Sequence, residues 1–581
     1  MSWIFEFIGN HDISPDSNTK FCALHPPPLH TIEQDTFYLA VGGLAQTCHH
    51  GVFDAGGESD FRGWAVVGLG IDTNSANHQF VSSEKWQKFF APSHPGLTAL
   101  DGHFVAIRWK PGLVQCYTDR LGLRTLFLLE MDNGCAFSTR LDWLAQFKRD
   151  CKIDFRAFGA HWLTFNQLSY ECCVHGIGRL GPAGVAVCTP ASIRTTHQPY
   201  LPDFSKTTHH SLEAILHPFL HFQNSGGEVS LGLSGGLDSR TLLALLAADR
   251  HRVFALHVFG HAGHPDVRIA RQIATREGFS LRHFDEPLPD AETCWRWLQD
   301  YAAQACVVEP ASALLHTRYY PQLFAKNKIV IDGGFGEIAR RQFFNRILRR
   351  GRRALESGAP AAIYPFLRVF RAAVFRHDVL QIMQAGTEQQ IASRWQAMPA
   401  IDEIGRENFL DLLAIRTRLP NYYGFEQSRL DGEGATFMPF AQPSFLQFVF
   451  DTPVHARRNG RLFRRTIRQH CPSLAAYPLV KGATSYPFFL GTVPAWLWTQ
   501  CKARLGRSFA DPVRAAFLGS LSELLADLVR SAEVRTYPAY NHRALAEMVD
   551  GFLVGKTEYG QQVDWWLSFE AWRRSVQAQT M

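Results

Sequence analysis

The chain has 581 residues, of which 46% are hydrophobic and 19% are charged, and its formal net charge is +6. This apolar fraction excludes a largely disordered chain, and the length exceeds what a single core usually serves, so we expect at least two domains. The small net charge disfavours a dedicated nucleic-acid binder.

The sequence contains no sign of membrane insertion or secretion. No apolar run approaches the ~18 residues of a membrane span, and Met1–Phe7 lacks the basic region of a signal peptide. The twelve cysteines show no C-x-x-C spacing, and the histidine pairs lack further ligand-like neighbours. We therefore expect a reduced, cytoplasmic protein without a disulfide framework or a zinc site.

The first ~200 residues are rich in short β-like runs. The clearest predicted strands are His103–Trp109, Val114–Thr118 and Cys135–Ser138. Short turns between consecutive strands predict hairpins in an antiparallel arrangement. Pro199–Pro202 and the polar stretch Ser205–His210 are typical of a linker, so we place the first domain at residues 1–205.

Residues 206–581 form the second predicted domain, in which strands and helices alternate. The predicted elements are strand Val229–Leu233, helix Arg240–Ala248, strand Val253–Phe259, a helix from about Asp266 and strand Lys328–Ile331. This order predicts right-handed crossovers and a parallel sheet. From about residue 360 onward the pattern is mainly helical.

The most informative segment is Ser234-Gly235-Gly236-Leu237-Asp238-Ser239, between the first of these strands and its helix. Two glycines let the backbone approach an anion, and a helix N-terminus directs N–H groups at it. Asp238 does not favour a bare phosphate, but it suits Mg²⁺ that carries a triphosphate. An ordinary glycine-rich turn is the alternative.

A second glycine-rich stretch, Gly551–Thr557, superficially resembles a phosphate-binding Walker A loop. Its spacing is one residue short, and it follows the helical run Ala544–Met548 rather than a strand. We therefore do not expect it to bind phosphate.

The segment Ser234–Ser239 matches S-G-G-x-D-S, the signature of the ATP pyrophosphatases, and the chain resembles the asparagine synthetase family from end to end. The other stretches that carry this resemblance are Met1–Phe5, Asp101–Ala106, Asp119–Phe127, Ile177–Gly184, Gly260, Pro265-Asp266, Ile331–Glu337, Met438–Phe440 and Lys481. The resemblance implies an α/β protein with an Ntn-glutaminase-like, β-rich αββα domain. A parallel-sheet, adenine-nucleotide α-hydrolase-like ATP pyrophosphatase domain with a helical C-terminal part would follow.

The chain departs from this family at the glutamine site. Amide-transferring members carry a nucleophilic cysteine at position 2, where this chain has Ser2 followed by Trp3. The family's glutamine-binding N-G-E-I-Y-N is also missing, and Thr73–His78 stands in that region. An N-terminal serine nucleophile is conceivable, but two losses at one site favour a degenerate glutaminase domain with a structural or docking role.

An adenylating domain without an ammonia source needs another amine. The β-lactam synthetases and the lasso-peptide macrolactam cyclases belong to this group, and in both an amine of the same substrate attacks. The β-lactam enzymes carry a tyrosine where this chain has Gly334, and the loop Asp332–Glu337 is more similar to the lasso cyclases. The resemblance implies a cyclase that joins an Asp or Glu side chain of a ribosomal precursor peptide to its N-terminal amine.

The resemblance also implies roles for individual residues, with ATP and Mg²⁺ as cofactors. Asp238 and Glu337 would bind Mg²⁺, and Lys481 would contact the α- and β-phosphates. The phosphate cradle would comprise Ser234, Gly235, Gly236 and Ser239, while Leu233, Phe259, Asp332 and Gly333 would frame the adenosine. Glu426 lies where the β-lactam enzymes place a glutamate, and it is a candidate general base.

Arginines cluster between Arg340 and Arg353. They form either a solvated helix face or a patch for an acidic peptide or a partner protein. The expected partners are the precursor peptide and a leader-peptide protease or recognition protein, with no nucleic acid and no membrane. Competing hypotheses are an ammonia-dependent asparagine synthetase, a β-lactam synthetase-like ligase, a nucleic-acid modifier and a non-catalytic scaffold.

Overall fold

The computed structural model describes residues 2–577 except 10–26, 35, 54–59, 74–77, 92–95, 149, 206–209, 222–227, 250–252, 305, 308 and 326–328. The fold is mixed α/β, with two large antiparallel sheets, a two-stranded antiparallel sheet, one parallel sheet and many helices. Residues 74–77 of the missing glutamine motif, residues 206–209 of the predicted linker and Lys328 lie outside the described residues.

The first half of the chain is built mainly from strands. The strands are β1 Trp3–Gly9, β2 His30–Gln34, β3 Phe37–Gly42, β4 Cys48–Val52, β5 Gly63–Asp72, β6 Gln79–Phe80, β7 Asp101–Lys110, β8 Leu113–Thr118, β9 Phe127–Met131, β10 Gly134–Ser138, β11 Gly178–Arg179, β12 Val185–Thr189 and β13 Ser192–Thr196. Within the described residues three α-helices accompany them, at Ser83–Phe89, Leu141–Ala145 and Phe155–Leu163.

These strands form two sheets whose inner faces pack on one another. The first has the order β11-β9-β10-β1-β3-β2 and the second β13-β12-β8-β7-β5-β4, with β6 beside β5. One hydrophobic cluster joins Ile4 and Val41 of the first sheet to Val67, Ile107 and Cys188 of the second. The predicted hairpins are confirmed, because β7 pairs antiparallel with β8 and β9 with β10.

The second half contains the predicted parallel sheet. Its strands are β14 Val229–Gly232, β15 Phe254–Phe259, β16 Leu281–Phe284, β17 Ile329–Ile331 and β18 Thr436–Phe437, in the order β16-β15-β14-β17-β18. All four pairings are parallel. After β14 the chain forms β15 and β16 on one side of that strand and later β17 and β18 on its other side, so the strand order reverses at β14. A crevice at such a reversal is where open α/β sheets bind ligands.

Helices cover this sheet and form the rest of the second half. The α-helices are Leu212–Leu220, Leu237–Ala248, Pro265–Glu277, Ala291–Gln304, Tyr320–Phe324, Asn345–Arg350, Arg352–Ser357, Pro360–Leu367, His377–Gln396, Ile401–Ile404, Arg406–Arg418, Gly424–Leu430, Pro443–Asp451, Val454–Arg457, Arg461–His470, Thr492–Arg504, Pro512–Ser520, Ser522–Arg530, Ala532–Arg535, His542–Leu553 and Gly560–Gln577. A short hairpin, β19 Leu479–Lys481 with β20 Thr484–Tyr486, interrupts them.

The two halves share a hydrophobic core. Helix Phe155–Leu163 of the first half packs on helix His377–Gln396, and one cluster contains Trp3, Phe158 and Trp572. In the described ranges, no helix has the length and apolar character needed to cross a membrane. All eleven cysteines in those ranges are free thiols.

Candidate functional site

The loop Ser234–Ser239 joins β14 to helix Leu237–Ala248, as the sequence predicts. Its own serines hold it: the Ser234 N–H donates to Ser239 Oγ over 3.1 Å, and the Gly236 N–H donates to Ser234 Oγ over 3.2 Å. The Gly235 N–H donates to Asp266 Oδ1 over 2.6 Å. The Gly235 N–H is therefore bonded to Asp266 in this structure, and its role in cradling phosphate stays a prediction.

Gly235 is required by a close approach. A Cβ at this position would lie 2.3 Å from Val480 Cγ2, far inside van der Waals contact. Val480 is the residue before Lys481 in β19, and its N–H donates to the Gly235 carbonyl oxygen over 2.9 Å. The glycine thus lets the hairpin that carries Lys481 dock directly on the phosphate loop.

A cavity of about 510 Å³ opens at the carboxyl ends of β14, β15 and β17. It brings together eight of the predicted site residues: Leu233, Ser234, Asp238, Ser239, Phe259, Asp332, Gly333 and Glu337. Phe259 is part of an aromatic wall, since its ring stacks on Tyr319 at 5.5 Å and 6°. Gly333 has no room for a side chain, because a Cβ there would lie 2.9 Å from the Ser239 nitrogen.

A second cavity of about 550 Å³ lies on the other side of Asp238. Lys481, Arg340, Arg464 and Tyr486 contribute to its lining, together with Gly236 of the phosphate loop. Desolvation, followed by repulsion from Arg349 and Arg340, lowers the pKa of Lys481. Five residues line both cavities: Ser234, Asp238, His264, Asp266 and Glu337.

Asp238 is half-buried between positive and negative neighbours. Burial raises the pKa of its carboxyl to about 7, and the nearby charge of Glu337 adds to this while Arg340 opposes it. Arg340 Nη2 donates to Asp238 Oδ2 over 2.6 Å. Asp238 Oδ1 is buried and has no hydrogen-bond partner among the residues that the structure describes.

This arrangement fits a divalent cation that arrives with a phosphate ligand. Asp238 and Glu337 supply carboxylates, and the buried Asp238 Oδ1 is an oxygen that lacks a partner within the described part of the chain. No group of three or more His, Cys, Asp or Glu side chains in that part is arranged to hold a metal by itself. Mg²⁺ is usually bound by one or two carboxylates plus substrate phosphates, which matches this set.

Glu426 is the one predicted site residue that the structure places elsewhere. It lines a separate cavity of about 250 Å³, beside Tyr320 and Glu433. Its Oε1 accepts a hydrogen bond of 2.7 Å from the Tyr301 hydroxyl and forms an ion pair with Arg429. Glu426 therefore does not join the residues around Asp238, and its role as general base stays a prediction.

The arginine cluster divides into two groups. Arg346, Arg349, Arg350, Arg352 and Arg353 are exposed, consistent with a solvated face. Arg340 and Arg341 do not belong to this exposed face. They lie at the end of the 3-10 helix Gly336–Arg340, where Arg340 contacts Asp238. Arg341 is buried against Asp411. A surface helix was thus the wrong interpretation for these two side chains.

Two further sequence motifs lie away from these cavities. Gly551–Thr557 begins in the last turn of helix His542–Leu553 and has no strand before it, the context that the sequence predicts. Ser2 is fully buried in the first half. Its Oγ donates to the Asp431 carbonyl oxygen over 2.9 Å and contacts Thr47 Oγ1.

Sequence patterns did not reveal several residues of the two cavities. Tyr423, His264, Arg464 and Tyr486 line them, and Asp266 was expected only as the start of a helix and as part of the Pro265-Asp266 stretch of the resemblance. None of the other four side chains belongs to a short local motif. For Arg340, which also lines the second cavity, the available signal was its position three residues after Glu337. A cation at that spacing from a carboxylate can face the same site.

No protein-family model matches the sequence, and no curated protein is significantly similar to it. Among solved structures, the chain is similar to a glutamine phosphoribosylpyrophosphate (PRPP) amidotransferase from B. subtilis complexed with ADP and GMP. The identity is 11% and the TM-score 0.20, over 58% of this chain and 71% of that chain. A similarity this weak carries no inference about the function of the chain.

Proposed function

We propose that the chain is an ATP-dependent, AMP-forming ligase that activates a carboxylate and joins it to an amine. The observation that carries the proposal is the position of Asp238 between two cavities. One cavity has the aromatic wall and the loop Asp332–Gly334, and the other contains Lys481 and Arg340. A nucleotide whose phosphates pass Asp238 would place its base in the first cavity and its leaving group in the second.

The chemistry follows from the charges around the loop. A carboxylate oxygen attacks the α-phosphorus, the bond from that phosphorus to the β-phosphate oxygen breaks, and pyrophosphate leaves. Lys481 and Arg340 oppose the charge that grows on the leaving group, which is the largest electrostatic task in the reaction. Mg²⁺ held by Asp238 and Glu337 would supply further charge neutralisation. The amine then attacks the acyl carbon, loses a proton and displaces AMP.

We further propose that the carboxylate and the amine belong to one ribosomal precursor peptide, so that the product is a macrolactam of the lasso-peptide type. The resemblance of the loop Asp332–Glu337 supports this substrate class, as does the lack of the nucleophilic cysteine at position 2. A leader-peptide protease or recognition protein would act beside it in the cytoplasm. The two halves would correspond to a degenerate Ntn-glutaminase-like domain and an adenine-nucleotide α-hydrolase-like domain.

The engagement of Ser2 supports a non-hydrolytic role for the first half. Ser2 Oγ is occupied by the Asp431 carbonyl, and Asp431 is held by His103 at 2.7 Å and by Arg124 at 3.3 Å. Asp431 follows helix Gly424–Leu430 of the second half. The first half would therefore brace the second half at this point instead of releasing ammonia to it.

The test is to incubate the purified chain with ATP, Mg²⁺ and the short precursor peptides encoded near its gene. We expect AMP and pyrophosphate in equal amounts and a peptide that has lost one water. The lost water should map to an Asp or Glu side chain joined to the N-terminal amine. ADP as the product would overturn the ATP chemistry. Asparagine formed from aspartate and ammonia, with all peptides unchanged, would overturn the substrate class alone.

A further inference from the structure

Helix Thr492–Arg504 buries its more polar side. The residues that face the protein are Thr492, Ala495, Thr499 and Lys502, whereas Val493, Trp496, Leu497 and Trp498 are each 44–52% exposed. A helix on the surface of a globular protein normally turns its apolar stripe inward. The polarity of this helix is therefore inverted, and its apolar side chains are available to a partner.

The exposed apolar side chains form a patch, which we call the tryptophan face. It comprises Phe489, Val493, Trp496, Leu497, Trp498 and Leu505. Val493, Trp496 and Leu497 are neighbours on the helix surface because they are spaced three and four residues apart. Phe489 before the helix and Leu505 after it are 72% and 69% exposed. Exposed apolar patches of this kind, and tryptophans above all, are typical of interaction sites.

The helix that carries the tryptophan face begins at the wall of the second cavity. Thr492 and Ala495, in the first turn of the helix, line that cavity together with Lys481. The helix is anchored to the hairpin that carries Lys481, because Lys502 Nζ donates to the Ser485 carbonyl oxygen over 2.9 Å. The apolar patch thus lies on the outer side of a helix whose inner side lines the cationic cavity.

The segment after the helix leads to the first cavity. The Phe509 N–H donates to the Ala483 carbonyl oxygen over 3.1 Å, and the Phe509 ring stacks on His261 at 5.6 Å. Asp511, two residues later, lines the first cavity. The helix is therefore connected to both cavities, and an occupant of its outer face lies beside the proposed reaction centre.

We propose that the tryptophan face is a docking subsite for an apolar segment of the peptide substrate, whose carboxylate reacts beside Asp238, where the two cavities meet. This inference rests on the proposed function. On that proposal the second cavity, with Lys481, Arg340 and Arg464, holds the leaving pyrophosphate, and the α-phosphorus that the carboxylate attacks lies at the edge of that cavity. The helix has 13 residues and is about 20 Å long. About six residues of extended peptide, at ~3.3 Å each, span that distance.

A peptide explains the position of the patch better than a membrane or a second copy would. A membrane or a second copy could bind a patch anywhere on the surface, whereas a substrate needs one that is close to the reacting site. The reacting carboxylate also loses its charge when it becomes an acyl group, so contacts remote from the reacting centre are needed to hold the peptide. Binding energy from such remote contacts is what positions a reacting group.

The experiment begins with a phage-displayed library of random 12-residue peptides, selected on the immobilised full-length chain. We expect enriched peptides to carry at least two aromatic or aliphatic residues. The best one is synthesised with a fluorescein label, and its dissociation constant is measured by anisotropy. The double variant Trp496→Ser, Leu497→Ser should weaken binding at least tenfold. The matched control Phe370→Ser, Ile382→Ser, which alters two exposed apolar residues elsewhere, should change it less than twofold.

Two further measurements locate the peptide and separate the hypotheses. Cys501 is exposed on the same helix, so a bimane label on Cys501 should shift its emission when the peptide binds. The Cys501→Ser variant should remove that signal, which would show that the label reports from this helix. Melting temperature and binding of a fluorescent ATP analogue should be unchanged in the double variant. Peptide binding is measured without turnover, so its outcome is independent of whether AMP forms.

Several outcomes would overturn the docking subsite. One is a selection that enriches no peptide, and another is equal peptide affinity of the double variant and the wild type. A third is binding of the wild type, but not of the double variant, to vesicles of phosphatidylcholine and phosphatidylglycerol. A fourth is a wild-type dimer that the double variant converts to a monomer in analytical ultracentrifugation. In each of these cases the proposed ATP chemistry would still stand on its own assay.

Discussion

Arg340 Nη2 lies 2.6 Å from Asp238 Oδ2, which ties the segment after β17 to the loop after β14. This ion pair uses one carboxylate oxygen of Asp238 and leaves Oδ1 without a partner among the described residues. Asp238 is therefore held in a fixed orientation with one oxygen directed away from the arginine. Arg340 orients the Asp238 carboxylate, and its Nη2 also lies 3.9 Å from Glu337 Oε1, so one guanidinium is close to both carboxylates.

Turnover should rise with pH around neutrality. Burial raises the pKa of Asp238 to about 7, and only the ionised carboxylate holds a cation. A carboxyl with a raised pKa loses its proton as the pH climbs through that value, so the ionised fraction grows from about one tenth at pH 6 to about nine tenths at pH 8. We expect kcat/KM at limiting Mg²⁺ to rise about tenfold across this range. A flat profile from pH 6 to 8 would contradict the assignment.

Replacing Arg340 by leucine should shift this pH profile upward. The positive charge of Arg340 lowers the pKa of Asp238, so its loss leaves desolvation and Glu337 unopposed. We expect the midpoint of the kcat/KM profile to move to higher pH and part of the activity to return at pH 9. The exposed Arg353→Leu is the matched control and should keep the wild-type midpoint. A uniform loss at every pH would indicate that Arg340 acts only on the leaving group.

Lys481→Met should slow the reaction far more than it weakens nucleotide binding. A cation that meets the leaving pyrophosphate only as charge develops stabilises the transition state and not the ground state. We expect kcat to fall by ~10²–10³, the scale of losing one such donor, with little change in the Kd for ATP. Lys88→Met, on the exposed side of helix Ser83–Phe89, should behave as the wild type. Cyclisation by Lys481→Met at the native rate would show that the site is assigned wrongly.

The purified chain should release no ammonia from glutamine above background. Ser2 is fully buried, and its hydroxyl is engaged by the Asp431 carbonyl. We expect Ser2→Cys to remain inactive, because the thiol would meet the same carbonyl and Thr47. Glutamate formation is measured in a coupled assay, with a known glutaminase as positive control. Glutamine-dependent turnover by either form would refute the degenerate-domain hypothesis.

Asp411→Ala should destabilise the protein strongly. Asp411 is fully buried and pairs with Arg341 Nη1 at 3.1 Å and with Arg457 Nη1 at 2.7 Å. Removing the carboxylate leaves two buried guanidinium groups without their counter-ion, which typically costs about 3–5 kcal/mol. The measurement is urea unfolding at pH 7. The exposed Asp378→Ala, whose partner Arg376 is also exposed, should change stability by less than ~1 kcal/mol.

The sequence predicted the parts of the site that are local in the chain. Ser234–Ser239 lies at a strand–helix junction because its glycines, serines and helix signals are consecutive, and the parallel sheet follows from the alternation of elements. Arg340 could not be assigned in this way, since its contact with Asp238 spans 102 positions. The same holds for β18, a two-residue strand with too little pattern to detect, and for Asp431 beside Ser2. These contacts depend on how distant segments pack.

The stacking of Phe158 on Trp572, at 5.5 Å between ring centroids, has a consequence for biosynthesis. Helix Phe155–Leu163 leaves the ribosome some four hundred residues before the helix Gly560–Gln577 against which it packs. During that interval its contacts with helix Gly560–Gln577 are missing, and the shared cluster around Trp3 stays incomplete. We expect the packing of this cluster to finish only after helix Gly560–Gln577 has emerged, so that part of its aromatic surface is exposed on the nascent chain.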